Sequence, residues 1–175
     1  MHKKALFIIP PDRFNEDELF APKEELEQAG YEVTVASTTA GEVTGDNAGK
    51  ATAELIFSAA NAADYDVITV IGGSGTIDHL WGKQEVIDYL KSAYNSDILV
   101  SGICAGAVVV AKTGLLSGRQ GTCYPVDVMI NEVKANNVEY VEQHVVAYDD
   151  IITADGPMGA KEFGQALVKR LSQTV

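Results

Sequence analysis

Ile98-Leu99-Val100-Ser101-Gly102-Ile103-Cys104-Ala105-Gly106-Ala107-Val108-Val109-Val110-Ala111 is the stretch that decides the fold. A short apolar run enters a tight Gly-x-Cys-x-Gly turn and leaves it as a second apolar run, which reads as strand, turn and helix. Glycines on either side of Cys104 allow a cramped strand-to-helix turn that lifts the side chain out of the sheet, the geometry of a nucleophile elbow. A thiol there sits at a helix N-terminus, whose partial positive charge favours thiolate, the reactive form. The other reading of the same residues is a buried cysteine in a glycine-tight turn, because free cysteine is among the most buried residue types.

Working outward, the chain alternates apolar runs with helical patterns. Leu6-Phe7-Ile8-Ile9, ended by Pro10-Pro11, suits a strand buried on both faces. From Glu16 to Ala29, Leu19, Leu26 and Ala29 recur at helical spacing, and Gly30 supplies the stop. Val33 to Ala36 reads as a second strand, Thr38 to Thr52 as an exposed, turn-rich hairpin, and Leu55 to Ala62 as a short helical stretch. Asp66 to Ile71 is a further strand, broken by Gly72-Gly73-Ser74-Gly75. Val86, Ile87, Leu90 and Tyr94 mark a helical face. Val145 to Ala147 and Ile151 to Thr153 read as late strands, and Ala160, Phe163, Leu167 and Leu171 line one side of a closing helix. The order predicts an α/β fold spanning residues 1–175 as one domain, a mostly parallel sheet with helices on both faces. Ligands of such sheets bind beyond the carboxyl ends of the strands, where both glycine-rich breaks fall.

The composition narrows the partners. The chain has 175 residues, 46% of them hydrophobic and 22% charged, enough for a substantial core, so intrinsic disorder is excluded. A formal net charge of −12 repels phosphate-rich partners, so neither nucleic acid nor an anionic membrane is expected. No apolar run reaches the roughly 18 residues of a membrane span, and Ala5 to Ile9 is too short for a signal-peptide core, so the expected location is the cytoplasm.

Three further groups of residues bear on chemistry. Gly72-Gly73-Ser74-Gly75 presents backbone N–H groups to an oxyanion, with the amide of Ala105 as a second donor, or is a glycine turn with no ligand. It is not a nucleotide loop: a P-loop Lys-Ser/Thr ending is absent, the third glycine of the dinucleotide fingerprint is missing, and no cofactor is expected. Glu16-Asp17-Glu18 is either an acidic first helical turn favoured by the helix dipole, or a place where one carboxyl group turns inward beside the thiol and stays protonated. His2, His79 and His144 lack metal-ligand spacing, so no metal is expected, and His79 and His144 read as surface or edge residues. Cys123, before Tyr124-Pro125, reads as a packed or partly exposed thiol, with a redox role as the lesser possibility.

Taken together, Asn15-Glu16-Asp17-Glu18-Leu19, Ile71-Gly72-Gly73, Gly102-Ile103-Cys104-Ala105-Gly106 and Leu115 to Pro125 resemble the ThiJ/PfpI superfamily over nearly the whole chain. Its flavodoxin-like domains are similar to class I glutamine amidotransferases. The resemblance implies that Glu18 points at Cys104 and that the Leu115 to Pro125 segment brings a side chain, here Tyr124, near the thiol. It also marks departures. In the protease branch a histidine follows the cysteine, where this chain has Ala105; in the parkinsonism-linked branch a histidine stands where this chain has Tyr124. The late His-x-Glu of the amidotransferases is not supplied by His144-Val145-Val146, and Asp155 falls where several relatives carry a basic residue.

A thiolate beside a carboxyl group adds reversibly to electrophilic carbonyls. The resemblance therefore implies glutathione-independent glyoxalase-like or deglycase-like chemistry on a small carbonyl compound, methylglyoxal or glyoxal. Cys104 would be the nucleophile and Glu18 the general acid and base; Gly72, Gly73 and Ala105 would shape the oxyanion loop, and Tyr124 would line the pocket. The alternatives are a cysteine hydrolase of amides or peptides, and an oxidative-stress sensor or chaperone using an oxidisable Cys104. The resemblance also implies a homodimer.

Overall fold

Four apolar runs with no polar face form the centre of the molecule, which a computed structural model describes for residues 2–173. In chain order the elements are β1 (Lys4–Ile8), α1 (Glu16–Gln28), β2 (Glu32–Ser37), β3 (Gly41–Thr44), β4 (Lys50–Ala53), β5 (Leu55–Ile56), β6 (Val67–Val70), α2 (Ser74–His79), α3 (Gln84–Asn95), β7 (Leu99–Ile103), α4 (Ala105–Lys112), β8 (Gln120–Gly121), α5 (Asp127–Ala135), β9 (Glu139–Tyr140), β10 (Val145–Ala147), β11 (Ile151–Ala154) and α6 (Ala160–Ser172). The principal sheet has seven strands in the order β10-β11-β7-β6-β1-β2-β5, and only β10 runs antiparallel to its neighbour. Ala5–Ile8 of β1 and the whole of β6, β7 and β11 are buried, as strands covered on both faces must be. Of the three hydroxyls this places in the interior, two satisfy each other, Thr69 Oγ1 lying 2.7 Å from Ser101 Oγ, and the third, Thr153 Oγ1, accepts from the Thr122 N–H at 3.2 Å.

Helices α1 and α6 pack together on one face, while α4 meets α2, α3 and α5 on the other. Helix α4 is apolar all round and its residues Ala105–Ala111 are buried, because it lies between the sheet and other helices rather than at the surface. Pro22 sits inside α1 without ending it; lacking an N–H, it leaves the Glu18 carbonyl without its usual helical donor. The closing helix buries Ala160, Phe163, Leu167 and Leu171, the side identified from their spacing.

The structure departs from the sequence reading in three places. Leu55 and Ile56 are not helical: they pair in parallel with Ala36 and Ser37 as an edge strand, and only two short 3-10 turns, Phe57–Ala59 and Ala62–Asp64, follow. The glycine break runs directly into α2, which that reading lacks, as it lacks α5 and the small β8-β9 pair. The Thr38 to Thr52 excursion is a hairpin, β3 with β4, but it is docked rather than free, with Val43 buried and its turn fastened to α1 and α2.

Strand order reverses at β1: the chain passes from β1 to β2 on one side and returns to β6 on the other. The carboxyl ends of β1, β6 and β7 therefore lie side by side at a topological switch point. Close approach there requires glycine. A Cβ on Gly106 would lie 2.1 Å from the Val70 carbonyl oxygen, backbone that cannot move without breaking β6. Gly106→Ala is expected to destabilise the protein by more than about 3 kcal/mol, as overpacking against a fixed main chain does; chemical denaturation measures this, and a loss below about 1 kcal/mol would show that the elbow is slack.

Candidate active site

Cys104 stands between β7 and α4 with φ 59° and ψ −122°, a left-handed conformation costly for any residue with a Cβ. Its N–H donates to the Ala154 carbonyl at 2.9 Å, tying the bend to β11. The helix that follows is fixed from the other side by Trp81, whose Nε1–H donates to the Ala105 carbonyl at 2.9 Å. Only 7% of Cys104 is exposed.

Glu18 reaches this thiol through the cap of α1. The Asn15 side chain accepts from the Glu18 N–H at 3.0 Å, and the Asn15 N–H donates to the Gly72 carbonyl at 2.9 Å, so the first turn of α1 is fastened to the loop after β6. Glu18 is thereby turned inward and is 1% exposed. Among the described residues neither carboxyl oxygen has a partner in hydrogen-bonding geometry; the Cys104 side chain and the Gly72 N–H are the polar groups near enough to act on it. A Cβ on Gly72 would lie 2.3 Å from Glu18 Oε1 and 2.8 Å from Cys104 Cβ, so glycine at this position is what lets acid and thiol share the space.

Burial pushes the Glu18 carboxyl up to about 8, with Asp46 and Asp17 acting in the same direction against the pull of Cys104 and the Gly72 N–H. Burial, then the charge of Glu18, also pushes the Cys104 thiol well up, and the Ala105 N–H at the start of α4 opposes this without prevailing. Desolvation at Cys104 thus opposes the pull of the helix end that favours thiolate, and the buried acid and thiol titrate as one coupled pair.

The loop facing the thiol is clamped by carboxylates. Gly73, at φ 125°, caps α2 and lies against the backbone of Arg13 to Asn15, where a Cβ would come within 2.3 Å of the Arg13 carbonyl. The Gly75 N–H donates to that carbonyl at 3.1 Å. Ser74 donates twice to Asp46 of the hairpin turn, from its N–H at 3.0 Å and from Oγ at 2.5 Å. Glu16 accepts from Asn47 N–H at 2.8 Å, Asn47 Nδ2 at 3.1 Å and Gly49 N–H at 2.9 Å. Partial burial pushes Glu16 up, but these donors outweigh it and hold the carboxyl below its ordinary range. Of the three acidic residues at the start of α1, one thus enters the site and another anchors the hairpin.

Tyr124 is 40% exposed, with its ring against Gly156. Cys123 is fully buried, donates from Sγ to the Tyr124 carbonyl at 3.4 Å, and is pushed up to about 12 by burial and then by Asp155. The sequence reading left His144 at the surface; the structure pairs its Nδ1 with Asp155 Oδ2 at 2.8 Å across the antiparallel β10-β11 ends. His79 instead meets Asp12, its Nε2 at 3.2 Å from Oδ1. Among the described residues no group of three or more His, Cys, Asp or Glu side chains is placed to hold a metal ion, and no helix is long and apolar enough to cross a membrane. A surface depression of about 760 Å³ lies at the opposite edge of the sheet; Asp66 and Asp150, which border it, are engaged by backbone N–H groups and by Tyr94 and Arg119.

Comparison with known proteins places this geometry. The model of the DJ-1/PfpI family matches residues 3–170. The chain belongs to the DJ-1/PfpI family. It is 32% identical to the protein dj-1beta of Drosophila melanogaster over 174 residues, 98% of this chain and 91% of that protein. It is 28% identical to a deglycase of Pyrococcus abyssi over 168 residues, 95% of this chain and 98% of that protein. The crystal structure of a ThiJ/PfpI domain protein from Brachyspira murdochii superposes with a TM-score of 0.94 at 29% identity, covering 99% of this chain and 98% of that one.

In this DJ-1/PfpI chain the buried acid has a thermodynamic signature. Unfolded, Glu18 ionises near 4.5, and folded near 8. Between those values the native state keeps a proton that the unfolded chain has released, so stability falls as pH rises through the window, by about 1.4 kcal/mol per unit. Glu18→Gln removes this dependence. Its stability relative to wild type is expected to improve by on the order of 3 kcal/mol between pH 4 and pH 7 in urea titrations, and parallel pH profiles would show that Glu18 is not buried as a neutral acid.

Proposed function

We propose that the protein is a cysteine-dependent enzyme acting on small reactive carbonyls, glyoxalase-like or deglycase-like, with methylglyoxal or glyoxal as substrate and no need for glutathione. The observation that carries this reading is the 1%-exposed Glu18 carboxyl, without another hydrogen-bond partner, facing the thiol at the elbow. A neutral acid beside a neutral thiol is a proton relay at rest. When a dicarbonyl enters and the pair has lost one proton to solvent, the Cys104 thiolate bonds to the aldehyde carbon while the remaining proton passes from Glu18 to the carbonyl oxygen, giving a hemithioacetal and leaving Glu18 as the carboxylate base. Glu18 then moves the proton of that carbon to the neighbouring carbonyl carbon through an enediol, which leaves a thioester, and water releases a 2-hydroxy acid and the thiol. The Ala105 N–H facing the sulfur and the Gly73 N–H are the donors assigned to the developing alkoxide, Gly72 provides clearance for the acid, and the Tyr124 hydroxyl meets the far end of the substrate. Relatives named as deglycases support the same class of chemistry. The homodimer implied by the family belongs to this proposal.

Attack requires that the acid–thiol pair lose one proton, whichever group it leaves. With Glu18 displaced to about 8, kcat/KM for methylglyoxal without glutathione is expected to rise about tenfold per pH unit below pH 8 and to level off above it. Cys104→Ala should abolish turnover, and Glu18→Gln should lower it by at least about 100-fold. Equal clearance by Cys104→Ala and wild type would defeat the proposal, and a monomer in light scattering would remove the dimer from it.

A further inference from the structure

We propose that the site admits uncharged carbonyl compounds and disfavours anionic ones such as 2-oxo acids, and that Asp155 is the residue that sets this preference. The inference deepens the carbonyl reading of Cys104 and rests on it.

Register places Asp155 beside the nucleophile. Ala154 pairs with Ile103, and its carbonyl accepts from the Cys104 N–H at 2.9 Å, so the next residue of β11's extension stands alongside Cys104. The Asp155 carboxylate is fixed there. Oδ2 is held by His144 at 2.8 Å, while Oδ1 is buried without a partner among the described residues, packed against Gly159. Its field acts inward as well, since Asp155 contributes to raising both Cys123 and Tyr140. The hairpin brings a second carboxylate to the loop after β6. The first N–H of α2, beside the glycine loop, donates to Asp46, and Asp46 also acts on Glu18. An incoming carboxylate thus meets the Asp155 carboxylate, paired with His144, and a second carboxylate, Asp46, on the loop after β6.

The preference is readable without turnover, from alkylation of Cys104 by neutral iodoacetamide and anionic iodoacetate. Rates are taken from mass spectrometry of the Cys104 peptide at low ionic strength, and the ratio is referred to that of free cysteine. Wild type is expected to favour iodoacetamide by about fivefold more than free cysteine does, the order of effect of one carboxylate on another at a partly buried site. Asp155→Asn should remove most of that excess, and 0.5 M salt should shrink it by about half or more. His144→Gln, which deletes only the balancing imidazole, should leave the ratio at or above wild type. A wild-type ratio equal to that of free cysteine, or one unmoved by Asp155→Asn, would overturn the proposal; so would a fall in both variants, which would make loop packing rather than charge responsible. With substrates, methylglyoxal should be consumed in preference to glyoxylate, and equal consumption would overturn charge selection. If the alkylation ratio behaves as stated but methylglyoxal is not consumed, the carbonyl reading fails and selection by charge at Cys104 stands.

Discussion

A carboxyl group pressed against a largely buried thiol, with a glycine between them, is the constraint around which this molecule is arranged. Glu18 is 1% exposed and Cys104 7%, and neither is ionised readily in that environment. Burying an acid without a hydrogen-bond partner opposes folding. The surrounding structure tolerates it because the rest of α1 is fastened independently, through Asn15 to Gly72, through Glu16 to the hairpin turn and through the packing of α1 on α6. The opposing energy is concentrated on the two groups able to exchange a proton, the usual place for strain and desolvation in a site built for chemistry.

The backbone makes the juxtaposition possible. Because β1, β6 and β7 are neighbours in the sheet while their following loops diverge, three separate segments deliver Glu18, Gly72 and Cys104 to one edge. The elbow is overdetermined: β11 holds the Cys104 N–H, Trp81 holds the Ala105 carbonyl, and Gly106 touches the main chain of β6. A left-handed cysteine persists only where such contacts leave it no alternative.

Charge arranges the periphery. The acidic excess of the chain is not simply a solvated surface: Glu16 and Asp46 act as structural acceptors that pin the hairpin over the site, and Asp155 pairs with His144 at the rim. Carboxylates that satisfy backbone donors also surround the buried acid, and Asp46 and Asp17 both favour the protonated form of Glu18.

Much of this was legible in the linear chain. Unbroken apolar runs can only be strands covered on both faces, and Gly102-Ile103-Cys104-Ala105-Gly106 permits few conformations other than the elbow, so the fold class, the sheet edge and the loops that meet there followed from composition and spacing. Short or irregular pieces were not legible: Leu55-Ile56 becomes a strand only because Ala36-Ser37 offers it a partner, and α2 is too short for a periodicity to show. The desolvation of Cys104 and the meeting of His144 with Asp155 belonged to tertiary structure alone, and it was tertiary structure that chose between the two readings of the acidic first turn. Local sequence specifies a helix end beside the thiol, but how much water surrounds the sulfur, and which carboxylates face it from other strands, depends on segments remote in the chain, and desolvation acts only once those segments have closed around it.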